Sequence, residues 1–380
     1  MPLRESIRQH RFMIADFARL REKVLRGGMQ PDDNRLAEPP DALEPSDVVD
    51  LCGDRPLRAE RHARGLEALS KGRVAIAVLN GGMAMRFGGG AKGTVPLLDG
   101  RADTFLSTKL QQISRLAHEV DAVVPTIVMH SFATQAPSAA HLEAIGWIDL
   151  PSDARREVVQ SIMPRLHADG RVLHDDPACD TLPDTSIYSA PGHGDFLQTM
   201  RASKTLEWLS ECGVEHVLMS NVDNLGASLA PEVLGAHLEA VERGAKVSVE
   251  AVDRGPADKG GCIARIGTRP AIVEGFRMPA SVDMSSYTLF NTNTLWFTRD
   301  ALQEPTPLDW FAVHRTIADA AGDALPIIQF EQLVGQVTEF VPSCFLRVDR
   351  ASRFVPVKTR EDLRAMSANI TSLIAAAKSR

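Results

Sequence analysis

The segment VAIAVLNGGMAMRFGGGAKG, Val74 to Gly93, decides how the chain is read. Its first seven residues, Val74 to Asn80, are apolar on both faces, as a central strand of a parallel sheet must be. They break into a Gly-rich loop, and a helix follows with its cap near Asp103 or Thr104 and Phe105, Leu106, Leu110, Ile113 and Leu116 along one side. Glycines let backbone N–H groups approach phosphate oxygens, so a strand–loop–helix unit of this kind suits an anion. The two familiar fingerprints fail on spacing. No G-x-G-x-x-G follows Asn80, and Ala91 before Lys92 with Gly93 after it breaks the G-x-x-x-x-G-K-[ST] pattern. Glycines alone fit an ordinary turn equally well. Arg86 and Lys92 inside the loop turn the reading toward a triphosphate.

Outward from this unit, Ala122 to Met129 and His216 to Ser220 read as further strands, the second fed by a helix from Phe196 to Cys212. Lys246 to Val252, Cys262 to Ile266, Ala271 to Phe276 and Thr288 to Thr298 are strand candidates less regularly separated by helices. Early alternation followed by a strand-rich part implies a mostly parallel sheet with an antiparallel region. Before Val74, apolar residues from Glu5 to about Leu25 recur at helical spacing, and a Pro-, Gly- and Asp-rich connector follows. Near the other end FVPVK reads as a short strand. Thr359 and Asp362 then form a capping-box pattern opening a helix through Leu363, Met366, Ile370 and Leu373.

Composition bounds the function. The net charge of −7 excludes a broad nucleic-acid surface, which needs clustered Lys and Arg, but not small anions held by a few local cations. Five cysteines, far apart and without a C-x-x-C pair, fit reduced thiols rather than a disulfide framework or a zinc site. The charged start MPLRESIRQH carries no apolar signal core, and no stretch is long and apolar enough to span a membrane. The expectation is a cytoplasmic protein with neither nucleic-acid nor membrane partners. There is no G-x-S-x-G elbow and no H-E-x-x-H, so hydrolase readings find no support.

Four further motifs carry chemistry. SNVDN, Ser220 to Asn224, ends the strand HVLMS, and ligands of open α/β sheets sit outside such strand ends. An acid there can hold Mg²⁺, although Asp223 and Asn224 are also plain turn formers. GHGD, Gly192 to Asp195, offers His193 for a phosphate or sugar, or a His-x-Asp metal or acid/base fragment. FNTN, Phe290 to Asn293, sets two neutral amides on one face of a strand, apt for hydroxyls or for nothing beyond a cross-strand pair. Lys358, closing FVPVK, fits a phosphate clamp or a strand-end charge.

Taken in order, LNGGMAMRFGGGAKG, MHSFAT, QSIMPRL, APGHGD, SNVDNLGA, DKGG, FNTNTLWF and RFVPVK, from Leu79 to Lys358, resemble the UTP–glucose-1-phosphate uridylyltransferase family. The resemblance implies a GT-A-like, Rossmann-type mixed α/β sheet of the sugar nucleotidyltransferases. It frames a helical N-terminal extension over residues 1–70, a catalytic domain over 71–300 and a C-terminal α/β segment over 301–380. It also implies Mg²⁺-dependent joining of UTP to a sugar 1-phosphate, glucose 1-phosphate foremost, with pyrophosphate released. Carried onto this sequence, Gly81, Gly82 and Met83 lie along the nucleotide, and Arg86 and Lys92 meet the triphosphate. Gln160 reads the uracil edge beside Gly192, and Asn221 adjoins ribose or sugar. Asp223 binds the metal and His193 contacts the sugar phosphate. Glu274, Asn291 and Asn293 touch sugar hydroxyls, and Lys358 bridges the phosphates. His130, in MHSFAT, departs from the family's asparagine near the sugar side. Eukaryotic members of that family continue into a C-terminal β-helix used for assembly, so the family's oligomers do not transfer and the oligomeric state is left open. Two alternatives stay open: a relative using N-acetylglucosamine 1-phosphate, or a cyclitol phosphate with GTP, and a non-catalytic nucleotide-sugar-binding protein.

Overall fold

A computed structural model describes residues 4–53, 55–256 and 258–378. Its main sheet takes one strand from the N-terminal region, β1 (Val48–Asp50), and then β2 (Val74–Asn80), β3 (Thr126–His130), β4 (Arg155–Val159), β5 (His216–Asn221), β6 (Val247–Asp253), β7 (Cys262–Ile266), β8 (Arg269–Val273) and β9 (Leu289–Thr298). A hairpin, β10 (Phe311–Ala318) and β11 (Ala324–Glu331), forms a second sheet with Leu166–His167, and β12 (Ser343–Arg347) returns to the first. The order across the main sheet is β1-β12-β6-β9-β5-β2-β3-β4, with β7 and β8 attached to β9. Every neighbouring pair along that path is parallel except those of β9, which runs antiparallel between β6 and β5.

Two hydrophobic layers follow from the period-2 alternation of the central strands. Val74, Ile76 and Val78 of β2 join one buried cluster with Phe105, Leu106, Leu110, Ile113 and Leu116 of the helix Phe105–Glu119. Ala75, Ala77 and Leu79 join the other, with Phe196, Leu197, Met200, Leu206 and Leu209. The apolar run of β2 is thus read by helices from both sides, and its seven residues are all buried. Thr104 caps the helix at 105 by accepting from the Ser107 N–H, as the sequence led one to expect.

Several elements depart from the sequence reading. The N-terminal α-helix covers only Ile14–Leu25; before it Glu5–Ile7 forms a single 3-10 turn and Phe12 bridges Ile162 in parallel. That helix buries Phe17, Leu20 and Val24 against Met163, Leu166, Ile328 and Phe330. The first seventy residues are not helical throughout, since β1 lies at the edge of the main sheet. The expected helix from 196 to 212 is two, Asp195–Ala202 and Thr205–Glu211, parted where Lys204 turns left-handed (φ 56°). FVPVK forms no strand: Pro356 makes only an isolated antiparallel bridge to Asn224, since proline has no N–H for a ladder. The capping box at Thr359 and Asp362 is formed, and the last helix divides into Arg360–Ala365 and Ser367–Lys378. Among the described residues no helix is long and apolar enough to cross a membrane.

Candidate active site

β2, β3, β4 and β5 run parallel, so their carboxyl ends share one edge. The residues next in the chain, Gly81, Ser131, Gln160 and Val222, are therefore neighbours. β9 runs the other way and brings its N-terminal half, with Asn291 and Asn293, to the same edge. A cleft of about 310 Å³ opens there, lined by Gly81, Gly82, Lys92, Gln160, Gly192, His193, Asn221 and Asp223 among the expected residues, with Leu79, Met129, Ala190, Val222 and Glu331.

The Gly loop folds onto itself. The N–H groups of Ala84 and Lys92 donate to the carbonyls of Gly90 and Gly82, and Met83 bridges Ala91. The turn needs Gly88, Gly89 and Gly90, all at positive φ (103°, 102° and 82°), where a side chain would be strained. Met83 is held in this frame beside the lining glycines. Lys92 is nearly buried, and its Nζ donates to Asp223 Oδ2 at 2.6 Å while lying 5.8 and 5.9 Å from the rings of Phe87 and Phe105. Arg86, by contrast, is exposed and outside the lining.

Gln160 is 5% exposed. Its Nε2 donates to the Gly192 carbonyl at 2.8 Å, and its Oε1 would lie 2.4 Å from a Cβ placed on Gly81. The absent side chain of Gly81 is what lets the amide reach over the loop. Gly192 has φ 79°, and a Cβ there would meet the Gln332 carbonyl at 2.5 Å. His193 Nδ1 accepts from the Val334 N–H at 3.1 Å. Burial lowers its pKa to about 4, so the ring is neutral and Nε2 carries the proton.

Asn291 and Asn293 do not share a regular strand face. A β-bulge falls between Asn291 and Thr294, and Asn293 is left-handed (φ 54°). Asn293 Nδ2 donates to Asn221 Oδ1 at 3.2 Å, and the Asn293 N–H donates to Asn291 Oδ1. The Asn291 side chain also hydrogen-bonds Glu274, whose pKa is raised by burial. The polar chain Glu274–Asn291–Asn293–Asn221 thus ends at the cleft, though only Asn221 lines it.

Lys358 is exposed and not in the lining, yet its backbone is fastened beside it. The Val357 N–H donates to the Asp223 carbonyl at 3.0 Å, the Lys358 N–H to Asp362, and Arg360 to the Phe87 carbonyl of the Gly loop. His130 is buried between Asn80 and Glu157 rather than in the cleft. Asp195 is no metal or acid/base group of the cleft: it is fully buried and bonded to Ser161, Thr199 and Arg11. Glu331, which lines the cleft from β11, went unnoticed in the sequence because nothing in FEQL marks it.

Asp223 Oδ1 has no protein partner among the described residues. A carboxylate with one oxygen left over from its ion pair with Lys92 fits Mg²⁺, which takes one or two carboxylates and completes its shell with waters and substrate phosphates. Among the described residues, the one group of three metal-type donors within reach of one another is His167, Asp176 and Cys179, none of which lines the cleft.

A family profile described as UTP--glucose-1-phosphate uridylyltransferase matches residues 16–378. The UTP--glucose-1-phosphate uridylyltransferase of Saccharomyces cerevisiae is 30% identical over 313 residues, 79% of this chain and 60% of its own length. That of Encephalitozoon cuniculi is 29% identical over 306 residues, 78% of this chain and 58% of its own. This chain spans less than two thirds of the length of these relatives. Among solved structures, UDP-glucose phosphorylase from Trypanosoma brucei has a TM-score of 0.75 at 22% identity, covering 93% of this chain and 75% of that one. A UDP-glucose pyrophosphorylase variant from Leishmania major, in complex with UDP-glucose, has a TM-score of 0.73 at 24% identity, covering 93% of this chain and 75% of that one. The GT-A-like, Rossmann-type architecture is that of these nucleotidyltransferases.

Proposed function

The chain belongs to the UTP–glucose-1-phosphate uridylyltransferase family, and from that premise we propose that it joins UTP to a sugar 1-phosphate, glucose 1-phosphate foremost, releasing pyrophosphate. The observation that carries the reading is one cleft lined at once by the Gln160 amide, the Gly81–Gly82 backbone and the Lys92–Asp223 pair. An amide offers an acceptor and a donor side by side, the complement of the N3–H and O4 of uracil. Oε1 receives the N3–H, and the Nε2 hydrogen not given to Gly192 meets O4.

The sugar phosphate oxygen is already an anion, so the attack on the α-phosphorus needs little acid/base help. The difficulty is bringing two anions together, and catalysis rests on positioning and charge neutralisation. Lys92, Arg86 and Lys358 supply cations to the triphosphate and the reacting phosphates. Neutral His193 donates Nε2–H to the sugar phosphate, and Asn221, Asn293, Asn291 and Glu274 hold ribose and sugar hydroxyls. Asp223 is the protein's ligand for Mg²⁺, which supplies charge compensation on the triphosphate. All five cysteines are free, which supports a reducing compartment and a cytoplasmic enzyme.

Pyrophosphate release across UTP, CTP, GTP and ATP, each with glucose 1-phosphate, galactose 1-phosphate and N-acetylglucosamine 1-phosphate, tests this. The expected optimum is UTP with glucose 1-phosphate, lost on chelation with EDTA. No release from any pair, or GTP as the best donor, overturns the reading.

A further inference from the structure

Gln160 separates two hollows. The cleft lies on one side, and a second cavity of about 310 Å³ lies behind it, lined by Gln9, His10, Arg11, Val159 and Thr199 among others. Packing alone therefore does not fix the amide, and its place depends on the backbone at 160–162 and on Gly192. Three consecutive N–H groups anchor that backbone: Gln160 to the His130 carbonyl, Ser161 to Asp195 Oδ2 and Ile162 to the Arg11 carbonyl. Asp195 is the hub. It begins the helix Asp195–Ala202, two residues after His193, where its charge also suits the helix dipole. It takes the Ser161 N–H at 2.7 Å and the Ser161 hydroxyl at 3.0 Å, and so sets the distance between the 160 backbone and the 192–193 loop. A fully buried carboxylate needs a cation. Arg11 provides it: NH2 lies 2.8 Å from Asp195 Oδ1 and 3.1 Å from Thr199 Oγ1, and NH1 bonds the Gln198 carbonyl at 3.3 Å.

We propose that Arg11 is a positioning residue for nucleotide recognition, holding Gln160 in register with the Gly192 carbonyl through the buried Asp195. The inference rests on the assignment of Gln160 to the base. It makes the segment before the first helix part of the nucleotide site, although none of its residues lines the cleft.

Steady-state kinetics of Arg11→Met, Gln160→Ala and the double variant provide the test. Arg11→Met is expected to raise the KM for UTP roughly three- to tenfold, with kcat and the KM for glucose 1-phosphate within about twofold. Because Arg11 acts through Gln160, the double variant should bind UTP no worse than Gln160→Ala. A merely structural role would lower the melting temperature and leave the KM for UTP alone. An unchanged KM in Arg11→Met, with a raised one in Gln160→Ala, overturns the positioning role and spares the uridine reading. An unchanged KM in Gln160→Ala overturns both. If Arg11→Met does not fold, Arg11→Lys keeps a charge beside Asp195 but cannot hold three partners at once. A KM for UTP raised about twofold or more then supports the proposal, and the wild-type value overturns it.

Discussion

Lys92 and Asp223 neutralise one another across 2.6 Å while each is mostly out of water, with side chains 11% and 21% exposed. A triphosphate bound with a divalent cation would offer the carboxylate a new cation and the ammonium a new anion, so the pair would exchange partners on binding. Asp223→Ala removes the carboxylate proposed to hold the metal, at a strand end whose backbone is otherwise intact. Turnover should fall at least about a hundredfold, measured as pyrophosphate release, with the far-UV circular dichroism spectrum unchanged. A folded variant with near-normal turnover in Mg²⁺ would take Asp223 out of the chemistry. For His193 the sign is fixed by burial. Its pKa is lowered to about 4, so the imidazole stays neutral from pH 8 down to pH 5 and gains charge only below that. The kcat/KM profile should therefore show no acid limb near pH 6.5 that disappears in His193→Gln, and such a limb would contradict the neutral donor. At this scale Lys92 and Asp223 could be singled out from short motifs and Gln160 only through the resemblance of QSIMPRL, and all three line the cleft. Asp195 was misread because GHGD does not tell which of its polar groups faces inward.

Two glycines of the cleft do different work for the elements they join. A Cβ on Gly81 would meet the end of the Gln160 side chain at 2.4 Å, a group that can swing away into the hollow behind it. Gly81→Ala should fold normally and raise the KM for UTP as Gln160→Ala does, several-fold for the loss of about 1 kcal/mol of hydrogen bonding. Gly192 is left-handed, and its Cβ would meet backbone of Gln332 at 2.5 Å, which cannot step aside. Gly192→Ala should lower the melting temperature by roughly 1–3 °C, corresponding to about 1–2 kcal/mol. Equal melting temperatures for the two variants would refute this contrast. Strand existence was mostly legible: β2, β5, β7 and β9 lie where the apolar runs predict. The hairpin β10–β11 is not marked in the sequence because half of FAVHRTIA is exposed and the run HRT interrupts its apolar residues. The bulge in β9 is set by pairing with β6 and cannot be read from FNTNTLWF alone.

Over the whole molecule, residues far apart in the chain converge on one edge of the sheet, and the last to arrive is Lys358. Its segment was expected to be a strand and is instead strapped between two parts of the site, Val357 to the Asp223 backbone and Arg360 to Phe87 of the Gly loop. Such convergence is set by topology, which is why FVPVK alone left Lys358 between a phosphate clamp and a strand-end charge, and only the resemblance of RFVPVK assigned it to the phosphates. The strap fixes the backbone while the ammonium remains exposed, an arrangement suited to a cation that closes on phosphates once they are bound. In the proposed assignment each substrate has other holds: the base through Gln160, the triphosphate through the Gly loop and Lys92, the sugar through the asparagines. Lys92 serves the triphosphate in that assignment, so the oxygens that crowd together as the two phosphates meet still need a cation of their own, in a chain whose net charge is −7. A cation placed there gains most at the transition state, so its removal should lower turnover and leave ground-state binding largely intact. Lys358→Met keeps the stem and loses the charge. Turnover should drop about a hundred- to a thousandfold, the equivalent of roughly 3–4 kcal/mol, with either KM changed by less than about threefold. Steady-state constants in both substrates decide the matter, because raised KM values at unchanged turnover would make Lys358 a binding residue and leave the meeting of the phosphates to Lys92 and Arg86.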